Sequence, residues 1–139
     1  MTLRRSIENG FATLVTAAVG ATAEVFTGYE DETQTHPCVV CVANSATEEP
    51  QESGNFFIEI SVSVKGQIDD DPNLDNHETL LSLVNNALLV DDLAAQLSVA
   101  SGASVFHPVI DDGQSSAAQG RSIVSVQKFK VYGCSAGVI

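Results

Sequence analysis

Positive charge is what this sequence lacks most. Six lysines and arginines stand against eighteen aspartates and glutamates, a formal net charge of −12 over 139 residues. Proteins that hold duplex nucleic acid neutralise its phosphates with Lys and Arg, so the deficit argues against stable binding to duplex nucleic acid. Cysteine is also scarce. Three residues, Cys38, Cys41 and Cys134, are too few and odd in number for a disulfide-stapled scaffold, and they read as buried free thiols in a reducing compartment. No stretch approaches the ~18 apolar residues of a membrane-spanning helix, so no membrane partner is expected. Tryptophan is absent and methionine occurs once, and neither fact selects a function.

Reactive constellations are equally thin. Gly113 and Gly120 flank Ser and Ala without the Lys or strand-to-helix context of a phosphate loop. His36, His77 and His107 lie before a strand, in a helix's first turn and inside a strand, with no nucleophile motif beside any of them. Cys38 and Cys41 form a Cys-x-x-Cys, but three residues along a strand put the thiols on opposite faces, which suits buried side chains better than a zinc or redox pair. Asp69, Asp71, Asn73 and Asp75 recur at every second position, as the first ligands of a calcium loop do. Leu74 and Leu80 stand where that loop needs Gly and Glu, so these are weak metal candidates and a solvated acidic turn is preferred. No catalytic residue is assigned and no cofactor is expected.

What the chain does have is a long alternating segment. Between Asn55 and Gly66, Phe56, Ile58, Ile60, Val62 and Val64 alternate with Phe57, Glu59, Ser61 and Ser63, a strand with one buried and one mostly polar face. Pro37 opens an apolar run, Cys38 to Ala43, of strand length, with burial expected on both faces or one face on the core and one on a neighbouring subunit. Ala23 to Thr27 and Ala103 to Ile110 are shorter strands, the latter with Pro108 pointing to an edge position or a bulge. A final strand, Arg121 to Cys134, changes its apolar register between Val126 and Phe129, which predicts a bulge near Gln127, with Gly133 to Ile139 as a tail.

Helices frame these strands. Thr2 as N-cap, Leu3, Ile7, Phe11, Leu14, Val15 and Ala18 on one face, and Gly20 as a stop predict an N-terminal helix. Its Arg4, Arg5 and Ala21-Thr22-Ala23 mimic a secretory leader, but Glu8-Asn9-Gly10 interrupts the apolar run and an amphipathic helix is the preferred reading. Arg4 and Arg5 are expected to be an exposed pair of charges. Asp75 and Glu78 have capping-box spacing before Leu80, Leu81, Val84, Ala87 and Leu88. Asp91 or Asp92 caps a shorter helix, Leu93 to Val99, closed by Gly102. The segments 28–36, 44–54, 65–76 and 111–120 are polar, mostly acidic loops. Together these predict a single α+β domain over 1–139, a mixed and mainly antiparallel sheet of four to five strands with an N-terminal helix and one or two further helices packed on it.

That order resembles the tail terminator (tail completion, or neck) proteins of long-tailed bacteriophages. The likeness rests on the helix ending at Gly20, the strand entered through Pro37, the alternating strand Phe57 to Val64, the acidic turn before the helix at Leu80 to Leu89, and the closing strand Ile123 to Tyr132. The resemblance implies a structural, non-enzymatic virion protein. It would form a ring of about six copies at the head–tail junction, capping the tail tube and docking to the head connector or stopper after assembly in the host cytoplasm. DNA would pass through without specific binding. Its partners would be further copies of itself, the tail tube protein and the connector. Candidate interface residues are Glu48, Glu49, Glu52, Phe57, Glu59, Asp69, Asp70, Asp71, Gln114 and Arg121. The alternatives are another neck, stopper or minor tail component, or a small α+β enzyme or ligand-binding domain rimmed by the 44–54 and 111–120 loops.

Overall fold

A computed structural model describes residues 2–28, 37–48 and 53–135. Helix α1 (Leu3–Val19) is followed by a 3-10 turn, β1 (Glu24–Thr27), β2 (Cys38–Glu48) and β3 (Asn55–Gln67). Helices α2 (Asp75–Leu88) and α3 (Leu93–Ser101) come next, then β4 (Ser104–Val105), β5 (Ile110–Gln119) and β6 (Ser122–Cys134). The architecture is α+β, with six strands in one sheet. The order is β1-β2-β3-β6, with β4 and β5 sharing the outer edge of β6. Among the described residues only the β1–β2 pair is parallel; the other pairings are antiparallel.

The core forms where the alternation of the strands meets the helical stripes. Val39, Cys41 and Ala43 of β2, Phe56, Ile58, Ile60, Val62 and Val64 of β3, and Phe129 and Val131 of β6 turn one sheet face toward the helices. Leu3, Ile7, Phe11, Val15 and Val19 of α1 cover that face, with Leu80, Val84 and Leu88 of α2 and Leu93 and Leu97 of α3. At roughly 1.5–3 kcal/mol for each large apolar side chain removed from water, this face dominates the stability. Phe11 and Phe129 meet at a ring-centroid distance of 5.4 Å. Gly10, which costs α1 some propensity, stands where a Cβ would come within 3.2 Å of the Ser101 Cβ, so its absence lets α3 cross close to α1. Among the described residues no single helix is long and apolar enough to cross a membrane.

Local signals act as expected in α1 and differ elsewhere. The Thr2 hydroxyl accepts from the Arg5 amide, and Gly20 ends α1 at a positive φ of 57°. Arg4 and Arg5 are not a matched exposed pair. Arg4 is half-buried and its Nε donates to the Ala43 carbonyl, while exposed Arg5 lies 3.5 Å from Glu8. Glu8 is 3% exposed, and its Oε2 accepts the Ala43 amide at 2.9 Å. The cause is a register shift in β2 between Ala43 and Ser45. It lies beyond the reach of β1, whose pairing ends at Cys41, and α1 supplies both partners for Ala43's backbone.

The capping box is also not the one expected. The chain enters α2 through Leu74 in a left-handed conformation, φ 61°. That turn swings Asp71 over the helix start. Its two carboxylate oxygens accept the amides of Asn76 (3.2 Å) and His77 (2.9 Å), while Asp75 is itself the first residue of the helix. In α3 the Asp92 carboxylate accepts the Gln96 side chain and caps no backbone amide, and Gly102 closes the helix at φ 76°.

Two expected loops are strands. Strand β2 continues past the bulge to Glu48, with Ala46 opposite Ile58; its polar residues gave no apolar period to detect. The segment 111–120 is not an open loop but most of β5, hydrogen-bonded to β6 from Gln119↔Ser122 to Ile110↔Lys130. A two-residue turn, Gly120-Arg121, joins them, and Gly120 at φ 60° takes the position that favours glycine. Every described side chain of β5 is exposed, so backbone pairing forms this strand without a buried face. The strand expected over Ala103 to Ile110 shortens to Ser104–Val105, and a cis His107–Pro108 bond lies in the link to β5.

The bulge predicted near Gln127 of β6 is absent there. Pairing of β3 with β6 runs unbroken from Asn55↔Cys134 to Gln67↔Ser122, and the register shift sits on β5, between Asp111 and Gln114. Ile123, Ser125, Gln127, Phe129, Val131 and Gly133 keep a period of two through the buried face, two of them polar. The closing strand runs to Cys134, where the sequence reading Arg121 to Cys134 ends it, so the tail begins after Cys134 and not at Gly133.

Candidate functional site

Two regions gather the side chains that could act on another molecule. One is the sheet face turned away from the helices. Along β3 it carries Phe57, Glu59, Ser61, Ser63 and Lys65, and along β6 Val124, Val126, Lys128, Lys130 and Tyr132. Cross-strand register places Phe57 opposite Tyr132, Glu59 opposite Lys130 and Ser61 opposite Lys128. The Phe57 and Tyr132 rings stack with centroids 4.8 Å apart, and Tyr132 is 40% exposed. On β2, by contrast, Cys38, Val40 and Val42 are buried on this side and pack with Phe26 as a second apolar cluster. The two thiols of the Cys-x-x-Cys therefore do part to opposite faces, Cys41 into the main core and Cys38 into this cluster, and all three cysteines are thiols outside any disulfide. Burial, reinforced by the Glu8 carboxylate, pushes the Cys41 thiol up to about 12, which leaves it inert as a nucleophile or redox ligand.

The other region is a cleft of about 300 Å³ at the start of α2, whose walls include Thr22, Pro37, Gly66, Asp71 and His77. His77 is 5% exposed. Its Nε2 lies 2.9 Å from the Ser125 hydroxyl of β6, and that hydroxyl lies 2.7 Å from the Ser116 hydroxyl of β5. A step further along the hairpin the Gln127 amide donates to Asp111. These side-chain bonds tie α2 to β6 and β6 to β5, and they help fix the register of a strand whose described side chains are all exposed. Burial holds the His77 imidazole below its ordinary value, against the opposing pull of the Glu78 and Asp71 carboxylates. A His–Ser pair at this distance has the spacing of a base and a nucleophile. Ser125, however, is 1% exposed and already shared with Ser116. Asp71 bonds the backbone at the helix start and not the ring. The arrangement is that of a buried structural network.

The residues singled out from the sequence are divided between regions. Phe57 and Glu59 lie on the open face. Asp69 and Arg121 meet at 3.4 Å at the far end of the sheet, where Asp70 is also exposed. Glu48 lies at the opposite end, its Oε2 accepting the Gly54 amide; thirteen residues of β3 separate the two ends, about 40 Å. Gln114 is an exposed residue of β5 opposite Gln127. Glu49, Glu52, His36 and most of the 28–36 loop lie outside the described residues. Among the described residues no group of three or more His, Cys, Asp or Glu side chains is placed to hold a metal ion. Asp71, Asp69, Asn73 and Asp75 do not converge: Asp71 caps α2, Asp69 faces Arg121, and Asn73 and Asp75 are exposed.

Sequence reasoning missed the His77–Ser125–Ser116 network and the three lysines of the open face. Both were available from parity. Ser125 and Gln127 share the parity of Phe129 and Val131, while Lys128 and Lys130 share that of Tyr132; following the period through polar residues finds both sets.

No protein-family model matches the chain, and no curated protein matches it in sequence. Among solved structures, its fold is similar to that of a chain from the virion of a native gene transfer agent (GTA) particle. The TM-score is 0.59 at 12% sequence identity, covering 96% of this chain and 92% of that one. At that identity the likeness is one of fold.

Proposed function

We propose that this protein is a structural component of a tailed, phage-like virion, and within it a tail terminator. In this reading the chain is a single α+β domain that assembles as a ring of about six copies at the head–tail junction. The ring caps the tail tube protein and joins it to the head connector or stopper, with DNA passing through its lumen and no chemistry performed. One observation carries the reading: a fold similar over 96% of the chain to a protein built into a gene transfer agent virion. The element order read from the sequence resembles tail terminators independently of that match. The open face and an edge strand exposed along its length give the surface that assembly contacts need. The acidic balance suits a channel that DNA must leave without adhering.

Light scattering on the purified chain tests the ring. Six protomers of 14.6 kDa give about 88 kDa, and the ring should pellet with preformed tail tubes. A single-chain mass at every concentration, with no tube binding, overturns the reading. A ring that binds a connector and ignores tubes would assign the protein to another neck or stopper role.

A further inference from the structure

One side chain pins the start of α2 to the sheet. Between Gly66 and Leu80 every residue is exposed or half-buried except His77. The segment is anchored before Asp69, where the Ile68 amide bonds the Arg121 carbonyl, and again at buried Leu80. Between those points its ties to the sheet are His77 and the Arg121–Asp69 pair, which is exposed and holds weakly. The His77 Nε2 meets the Ser125 hydroxyl of β6 at 2.9 Å. Its Nδ1 is buried without a hydrogen-bond partner among the described residues and lies against the Gly66 backbone of β3. The charged groups acting on the ring are Glu78, the next residue of α2, and Asp71, which caps the helix. Asp70 lines the same cleft. On β5 the carboxylate of this sheet face, Asp111, is taken up by the Gln127 amide. The lysines of β3 and β6 project from the opposite face.

A neutral imidazole has one N–H to satisfy and a protonated one has two. The Ser125 oxygen serves Nε2–H in either state. A second N–H, at Nδ1, would be enclosed without an acceptor in a side chain that is 5% exposed. Asp71 and Glu78 attract the cation, but neither bonds Nδ1. The packed arrangement therefore suits the neutral ring, and the protonated ring gains by leaving for solvent.

We propose that His77 is a proton-operated clasp: its protonation releases residues 69–79, the acidic turn and the first turn of α2, from the sheet while β3 and β6 stay paired. Burial lowers the pKa of the enclosed ring, whereas the released ring has the ordinary value of about 6.5. The clasp is therefore shut at neutral pH and opens as pH falls below that value. Opening widens the cleft, since Asp70, Asp71 and His77 are among its walls. It also carries Asp69 and Asp70 away from the end of the sheet. The device acts within one chain and holds whatever the protein assembles with.

Amide exchange followed by NMR on the full chain tests it, at about pH 7.5 and about pH 5.5, both above the ordinary carboxylate range of roughly 4. With the intrinsic pH dependence of exchange removed, the amides of His77 to Leu80 should exchange about three- to tenfold faster at the lower pH. Tenfold is the ceiling for one proton over the single unit below an imidazole pKa of about 6.5. Their exchange should be nearly insensitive to dilute urea, whereas the amides of Ile58, Ile60 and Val62 in β3 should show the steep urea slope of global unfolding. His77→Gln, which takes up no proton, should abolish the acceleration. The chain carrying His36→Gln and His107→Gln, in which His77 is the last histidine, should keep it. That chain carries the assignment if His77→Gln loses its circular dichroism. If the helix amides show no acid acceleration, or accelerate with the same urea slope as β3, the segment does not open by itself and the clasp is wrong. If the acceleration persists in His77→Gln, or vanishes from the chain with His77 alone, another group drives it and the proposal is again wrong.

Discussion

Replacing Ser125 by alanine separates a structural network from a reactive pair. In the folded protein its hydroxyl serves two neighbours, the His77 Nε2 at 2.9 Å and the Ser116 hydroxyl at 2.7 Å, and it is buried at 1% exposure. The other ring nitrogen of His77, Nδ1, is buried with no hydrogen-bond partner among the described residues. It faces Gly66, where a Cβ would come within 3.3 Å. Ser125→Ala therefore leaves the imidazole buried with neither nitrogen bonded. An intramolecular hydrogen bond contributes about 1 kcal/mol net, and a stranded buried polar atom costs about 1–3 kcal/mol, so the loss should be about 2 kcal/mol. With a urea slope of roughly 1–3 kcal/mol/M for a chain of this size, the midpoint should fall by about 1 M. Ser116→Ala removes a partner on the exposed side and leaves the His77–Ser125 bond in place, so it should cost less than about 1 kcal/mol. The combination His77→Leu with Ser125→Ala replaces both buried partners with apolar groups and should recover most of the loss, because nothing polar is then stranded. A Ser125→Ala variant within about 0.5 kcal/mol of wild type, or a double variant as unstable as the sum of its parts, would refute the reasoning.

Three further outcomes follow from other contacts. Because burial lowers the folded His77 pKa beneath its ordinary 6.5, the unfolded chain takes up the proton first as pH falls. This group's contribution is therefore present above that value and lost as pH drops from about 6.5 toward the folded pKa. The slope is at most about 1.4 kcal/mol per pH unit, and urea titrations of His77→Gln should show it removed. Glu8→Ala strands the Ala43 amide at the β2 bulge and should cost about 1–3 kcal/mol by denaturant unfolding, with Glu8→Gln, which keeps an acceptor, recovering most of it. A thiol reagent should titrate Cys134 alone in the native protein and all three cysteines in denaturant, since Cys38 and Cys41 are buried and the Cys41 thiol is pushed up to about 12.

The sequence showed those parts of the fold in which apolar residues carry the period. Strand β3 was legible from Phe56 to Val64, α1 from Leu3 to Val15, and α2 from Leu80 to Leu88, because each buries a stripe that the spacing displays. Strand β5 was not legible. Asp111 to Gln119 is small and polar, it buries no described side chain, and it owes its strand conformation to β6 and the Gly120-Arg121 turn. Strand β6 was read with the wrong internal register for a related reason: Ser125 and Gln127 stand at core positions where apolar residues were sought, and their partners His77 and Asp111 lie far off in the chain. The acid that caps α2 was misassigned because the left-handed turn at Leu74 moves the reach of Asp71, and nothing in a leucine announces that conformation. That the three lysines share the open face follows from the parity of their strands, but only once β3 and β6 are known to be neighbours.

The exposed hairpin strand has a consequence for how this molecule can vary over time. With no described side chain of β5 wedged into the interior, its described residues can be exchanged freely so long as Gly120 stays at the reversal and Ser116 and Asp111 still meet their partners across the ladder. Lengthening both arms by one two-residue step would preserve the parity of β6 and leave the interior untouched. The reach of this finger toward whatever lies beside it is therefore adjustable in increments of about 7 Å without redesigning the body that carries it.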